Sequence, residues 1–278
     1  MLTSKATLKT IRENWGLAYS AAFVLCTDFK IDPNDIVMEV AVILQINQTP
    51  TKVPVKYFEK NGYHGNFSVC VKPFHYNFNR AVWLVEFIEL HRILGVEKFF
   101  FYNHTVGADL EKVLQYYIKE NIVDIQQWTL PVVTQKEIRT EGLFAALNDC
   151  NLRNVGRYKY TIMIDVDEFI IPKLFDNYTA LITSLGDKTT YVFQNVFFYL
   201  YWDNDTSVTE EYYGSPDSLG TKLFGSKDEA PYLLTAYKTI RSTKIHKHGS
   251  RSKYITKPEK ATECGNHLVW SDVGKPYY

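Results

Sequence analysis

No stretch of this chain is long enough to cross a bilayer. The most apolar run, Leu17 to Cys26, is ten residues and includes Tyr19 and Ser20, whereas a spanning helix needs about 20. The same run is too short for a signal peptide and lacks a clear small-residue cleavage site. Net charge is also missing: 31 basic side chains balance 31 acidic ones among 278 residues. There is no block of five or more like charges, so no nucleic-acid partner is expected. No GxGxxG follows the first strand and no GxxxxGK[ST] occurs, which argues against a dinucleotide oxidoreductase and a P-loop enzyme. Cysteines are few: Cys26, Cys70, Cys150 and Cys264, with no CxxC pair. A zinc site is therefore not expected, whereas one or two disulfides, or buried free thiols, are both open readings.

Apolar and aromatic residues are abundant, with 20 Tyr, 17 Phe and 5 Trp. That is enough for the core of one large domain, or of one domain with a small appendage. The most informative stretch runs from Arg157 to Pro172. Tyr160 to Ile164 is a short apolar run with β-branched residues, as in a strand buried on both faces of a mainly parallel sheet. Asp165, Asp167 and Glu168 follow within four positions. Unpaired buried charge is costly, so these carboxylates belong at the strand's carboxyl end, where open α/β sheets bind ligands. In extended backbone Asp165 and Asp167 point the same way. Two such carboxylates can hold a hard divalent cation, which in turn binds a diphosphate. The competing reading is a solvated turn with a helix cap.

The pattern divides the chain. Residues 1–15 read as polar and loosely structured. Tyr19–Cys26, Ile36–Ile46 and Val53–Phe58 read as strands, with turns at Asp32-Pro-Asn-Asp35 and Asn61-Gly62. Residues 1–62 are accordingly expected to be a β-rich lead-in, and 63–278 the main domain. Beyond it, strands at Phe67–Val71, Glu97–Tyr102, Ile122–Gln127 and Tyr160–Ile164 alternate with helices at Asn79–Leu94, Asp109–Glu120 and Lys136–Leu152. Such alternation predicts an α/β fold with a mainly parallel central sheet of nucleotide-binding type. Leu174–Leu185 reads as a helix, Thr190–Trp202 as one or two aromatic strands, Asp203–Lys222 as a polar loop or lid, and Leu233–Ile240 as a strand.

Diphosphate chemistry needs carboxylates for the metal and cations for the leaving group. Lys253, in the basic tail of residues 241–260, is the candidate phosphate contact, and His267 the candidate third metal ligand. Both also read as ordinary surface or core residues. Glu86, on the first helix, is a candidate for a base or ribose contact, against an exposed helical carboxylate. Tyr102, Asn103 and His104, with Asp109 beyond them, mark the end of the second strand, a position that often meets a ribose. Asn103 also heads one of five Asn-x-Ser/Thr sequons, with Asn47, Asn66, Asn177 and Asn204. These hint at a secretory protein.

Several stretches together resemble glycosyltransferase family 92. They are Ser68–Pro73, Trp83–Val96, Phe101–His104, Val113–Tyr117, Ala146–Cys150, Ile164–Pro172, and Lys253–Glu259 followed by His267. The resemblance implies a GT-A-like fold and an inverting, metal-dependent transferase. It implies Mn2+ or a similar cation, a UDP-sugar donor (UDP-galactose), and a glycan acceptor such as fucose on an N-glycan core. Carried over by position, Asp165 would contact the donor ribose or the metal, and Asp167 would be the main metal ligand. The general base on the acceptor is left among Glu168, Glu210 and Glu211. The resemblance further implies a Golgi type II membrane protein whose anchor lies outside this sequence, and a domain expected to continue past Tyr278. The rival readings are a non-catalytic glycan-binding or scaffold protein on the same fold, and a nucleotide-sugar hydrolase.

Overall fold

In the computed structural model, residues 3–26, 36–43, 49–57, 62–132, 135–226 and 230–273 are described. The chain begins with two antiparallel hairpins. β1 (Thr7–Thr10) pairs with β2 (Ala22–Leu25), and β3 (Glu39–Val42) with β4 (Thr51–Pro54). Residues 1–15 are therefore not wholly irregular: Thr7–Thr10 finds a partner in the apolar run that reads as a strand. The turn at 32–35, residue Asn61 of the second turn, Phe58 and the sequon at Asn47 lie outside the described residues.

The main domain alternates as its pattern predicts. β5 (Gly65–Cys70), α1 (Ala81–Ile93), β6 (Lys98–Asn103), α2 (Ala108–Lys119), β7 (Val123–Gln127), α3 (Leu143–Asn154) and β8 (Tyr158–Met163) follow one another. Then come α4 (Tyr178–Leu185), β9 (Thr190–Phe193), α5 (Thr206–Tyr213), α6 (Leu219–Phe224), α7 (Leu234–Tyr237), β10 (Lys253–Thr256), β11 (Ala261–Cys264) and β12 (Val269–Asp272). The central sheet has the order β7-β6-β5-β8-β10-β9. Its first four strands are parallel, and β10 is antiparallel to both neighbours.

Apolar residues cover both faces of the sheet, which explains the continuous apolar strands. Phe99 and Phe101 pack with Leu84, Phe87 and Ile88 of α1 on one face. Phe100 and Tyr102, alternate on the same strand, pack with Leu147 and Cys150 of α3 on the other. Cys70 and Cys150 form a disulfide, Cα to Cα 6.1 Å, that ties β5 to α3. Cys26 and Cys264 are free thiols.

Four expected elements differ. Asp203–Lys222 is not an irregular loop: it holds α5, whose first turn is capped by the Asp205 carboxylate accepting from the Ser207 amide at 3.0 Å, and most of α6. Leu233–Ile240 is not a strand: α7 forms there because its first amides are held from outside by Glu86. The run Thr190–Trp202 is a strand only to Phe193, where its partner β10 begins at Lys253. The helix foreseen from Lys136 starts only at Leu143, after a short turn through Thr140–Gly142.

The chain runs outward from β5 through β6 to β7, then returns to place β8 on the other side of β5. The order reverses between β5 and β8, and a crevice at a reversal of this kind opens at the strands' carboxyl ends. Lys72 follows β5 there and Asp165 follows β8.

Candidate functional site at the carboxyl ends of the parallel strands

Beyond Met163 the backbone does not stay extended. It closes a tight turn, with the Glu168 amide donating to the Asp165 carbonyl at 3.0 Å. The turn folds Glu168 back, so that its Oε2 accepts from the Asp165 amide at 3.1 Å. The carboxylate that converges with Asp165 is thus Glu168, three positions on, and not Asp167. Lys253, at the start of β10 and 5% exposed, bridges the pair: its Nζ lies 3.0 Å from Asp165 Oδ2 and 3.1 Å from Glu168 Oε2. Lys72 Nζ reaches Asp165 Oδ2 at 3.3 Å from across the crevice.

Burial alone would raise the Asp165 carboxyl, but Lys253 and Lys72 outweigh it and hold that carboxyl below its usual range. Lys253 is likewise disfavoured by burial but held above its ordinary value by Asp165 and Glu168. Glu168 is the weakest acid of the set: burial, helped by the Asp165 charge, pushes it up to about 7 against the pull of Lys253.

The network extends to the hairpin between β11 and β12. Lys253 Nζ donates to Asn266 Oδ1 at 3.3 Å, and Asn266 Nδ2 lies 3.2 Å from His267 Nε2. The other ring nitrogen, Nδ1, faces the Ser252 carbonyl at 3.3 Å. A proton on Nδ1 satisfies both contacts, and burial, aided by the Lys253 charge, lowers the imidazole's pKa. On the other side of Lys72 stand His75, His104 and Glu141. His104 Nδ1 is 3.6 Å from Glu141 Oε2. Burial lowers the pKa of His75, within the fields of Glu141, Lys72 and His104. Thr140, Glu141 and Gly142 have φ of 41°, 52° and 67°, three successive left-handed residues of which only the last is glycine. That strain places the nearly buried Glu141 side chain at the strand ends. His75 Nδ1 and Asn103 Oδ1 are buried there with no hydrogen-bond partner among the described residues.

A family model for glycosyltransferase family 92 matches residues 65–278. The chain belongs to glycosyltransferase family 92. The beta-1,4-galactosyltransferase galt-1 of Caenorhabditis elegans is similar to it, at 33% identity over 151 residues. The match takes in 51% of this chain and 35% of that protein, so it spans about a third of the length of that curated relative.

Within this family-92 domain the expected site residues separate into two groups. Asp165, Glu168, Lys253 and, through Asn266, His267 are brought together. Asp167 stands beside them, exposed, with no hydrogen bond or ion pair among the described residues. Among the described residues no three His, Cys, Asp or Glu side chains converge as a ready-made metal site. An unengaged carboxylate at the crevice mouth nonetheless suits a hard cation that takes its remaining ligands from a diphosphate.

Glu86 is not an exposed helical carboxylate but a buried one. Its carboxylate accepts from the amides of Leu234 and Thr235 at 2.8 and 2.7 Å and from the Thr235 hydroxyl at 2.6 Å. Tyr102 is a core residue whose hydroxyl donates to Asp149 Oδ2 at 2.7 Å. Asp109 is exposed in the first turn of α2, where Asn79 accepts from its amide at 3.0 Å. Its acid sits at the helix's positive end, a structural role. Glu210 and Glu211 lie exposed on α5, and no hydrogen bond or ion pair among the described residues joins them to Asp165, Glu168 or Lys253.

Sequence reasoning assigned no role to Lys72, His75, Glu141 and Asn266. Lys72 carried a usable signal, a single cation directly after a buried strand next to the switch point. The others reach the site through loop conformations that no periodicity encodes.

Proposed function

We propose that this domain transfers galactose from UDP-galactose to a glycan acceptor such as fucose on an N-glycan core, with inversion at the anomeric carbon. The observation that carries the reading is the ion-pair cluster at the switch point. There, two lysines and two carboxylates form one network, buried but for Lys72, with a free and exposed carboxylate, Asp167, beside it. Family membership supplies the sugar-donor and glycan-acceptor chemistry, and the galactosyltransferase relative supports the choice of sugar.

Asp167 and, if the Asn266 amide gives way, His267 Nε2 would hold the cation. When bound, Mn2+ or a similar ion would supply charge to offset the departing diphosphate. Lys72, partly exposed at the crevice wall, faces the same leaving group and stabilises the negative charge that develops on it. Asp165, whose charge both lysines maintain, accepts from a donor hydroxyl or completes the cation site. The bond from the anomeric carbon to the diphosphate oxygen breaks, its electron pair leaving with UDP, while the acceptor oxygen bonds to that carbon from the opposite face. Glu168 is the preferred base among the three carboxylates named for that role. Its Oε2 is engaged by Asp165 and Lys253, and Oε1 is left for the acceptor proton.

A secretory, Golgi-type location fits this reading. The Cys70–Cys150 disulfide suits an oxidising lumen, and the sequon residues Asn66 and Asn204 are exposed. Membrane attachment would then come from an anchor outside these residues. Among the described residues no helix is long and apolar enough to cross a membrane. The test is turnover with a panel of UDP-sugars and a fucosylated N-glycan core. Transfer from UDP-galactose that is abolished in Glu168→Gln, with UDP binding kept, supports the reading. Release of free galactose without an acceptor product would point to hydrolysis instead.

A further inference from the structure

The segment after β9 carries aromatic rings the core does not use. Phe197 and Tyr199 lie two apart along it, and Tyr201 follows on a turn. Their ring centroids are 5.8 Å apart (Phe197 to Tyr199) and 5.1 Å apart (Tyr199 to Tyr201). A turn closed by the Trp202 amide on the Tyr199 carbonyl at 3.1 Å sets the indole 4.9 Å from the Tyr199 ring. Tyr201 is 78% exposed, and its neighbour Leu200 is 53% exposed. Neither the Tyr199 nor the Tyr201 hydroxyl has a hydrogen-bond partner among the described residues.

Backbone bonds brace the row. The Ser242 amide donates to the Phe197 carbonyl at 2.7 Å, and the His246 amide to the Asn195 carbonyl at 3.0 Å. The His246 ring closes the end of the row, edge-on to Phe197 at 4.9 Å. Its position follows from the sheet. Phe193 is in register with Lys253, and the next residue of β10, Tyr254, with Met163. The aromatic segment therefore leaves the sheet at the edge where Asp165 and Lys253 meet.

We propose that Tyr199, Tyr201 and Trp202 form a stacking platform for a sugar ring of the acceptor glycan. This rests on the transferase reading above. A pyranose presents a C–H face and a rim of hydroxyls. The C–H face suits an exposed aromatic plane, and the rim suits free phenol hydroxyls beside it. An exposed aromatic row on a segment that leaves the sheet at its carboxyl edge marks a binding surface.

The test uses the full chain and a fucosylated chitobiose probe, read by saturation-transfer NMR, with UDP binding measured in parallel. Wild type and the control Tyr116→Ala, exposed on the far helix α2, should transfer saturation to the sugar C–H protons. Tyr201→Ala should lower that transfer at least fivefold, and Tyr201→Phe should retain most of it, all with unchanged UDP binding. In steady state the acceptor KM of Tyr201→Ala should rise roughly tenfold, the scale of one lost ring contact, with kcat little changed. Tyr201 is largely solvent-facing, so its removal leaves the fold intact. Equal transfer in Tyr201→Ala, or no transfer with wild type, overturns the platform. Transfer to the glycan without any UDP binding would leave the platform standing and remove the donor chemistry.

Discussion

Removing the Lys253 ammonium leaves Asp165 and Glu168 facing each other in a buried site with only the half-exposed Lys72 to offset them. Breaking a buried pair from one side costs about 3–5 kcal/mol. Lys253→Met is expected to lose stability on that scale in urea unfolding, and a loss under about 0.5 kcal/mol, ordinary for a surface change, would contradict the network. Asp167→Ala, at an exposed carboxylate without partners among the described residues, should leave the unfolding free energy in urea within about 0.5 kcal/mol of wild type. At this scale the sequence was partly readable. An apolar strand ending in three acids located the site, because buried strands tolerate charge only at their ends. Which acids converge was not readable: extended backbone would pair Asp165 with Asp167, whereas the turn pairs Asp165 with Glu168. Lys253 stood out as a late cation, but its burial between the two acids depends on the antiparallel register of β10, which lies far away in sequence.

The short helix α7 depends on one side chain from α1. Glu86 receives two amides and a hydroxyl there, and Glu86→Ala would leave the buried Leu234 amide unpaired, a penalty of about 1–3 kcal/mol. Hydrogen exchange should quicken selectively at Leu234 and Thr235, and unchanged protection would show that α7 stands by itself. The disulfide joining β5 to α3 closes a separation of 80 residues, for which the chain-entropy account gives about 4.5 kcal/mol. Thermal unfolding under reductant should fall by roughly 10 °C, while a Cys70→Ala/Cys150→Ala variant should not respond to reductant. The alternation of β5 through β8 could be read directly, since most of its elements carry an apolar run or an apolar helix face. α5 and α7 could not, because the side chains of Asp205 and Glu86 specify them through hydrogen bonds that hydropathy does not register. The hairpin of β11 and β12 gave equally little signal, being short, mixed in polarity and bulged.

The N-terminal hairpin is held on the main domain by Ile11 in the core, by the Tyr19 amide on the Glu137 carbonyl and by one buried acid, Glu263. Lys9 Nζ lies 2.9 Å from Glu263 Oε2, and the Arg12 amide donates to Glu263 Oε1 at 3.0 Å. Burial opposes the charge on Glu263, but Lys9 and the Arg12 amide outweigh it and hold the carboxyl below its ordinary value of 4.5. A depressed acid stabilises the fold fully above that ordinary value, and the contribution fades as pH falls through the lower folded value. Cleavage of the β1–β2 hairpin in limited proteolysis should therefore be slow at neutral pH and accelerate as pH falls below about 4. Glu263→Gln should be cleaved faster than wild type at neutral pH and should lose the acid dependence. The attachment was invisible in the sequence, where Lys9 and Glu263 are separated by most of the chain. The architecture itself, a mainly parallel α/β sheet with β hairpins before it, was legible because it follows from the order of elements.

The central claim is that the carboxyl edge between β5 and β8 is a donor site using Asp167. Its most direct test is calorimetric titration of UDP, with and without Mn2+, into wild type and Asp167→Ala. The account predicts binding that requires Mn2+ in wild type and vanishes in the variant while its fold is kept. UDP binding that ignores both the metal and Asp167, or no binding under any condition, would contradict it.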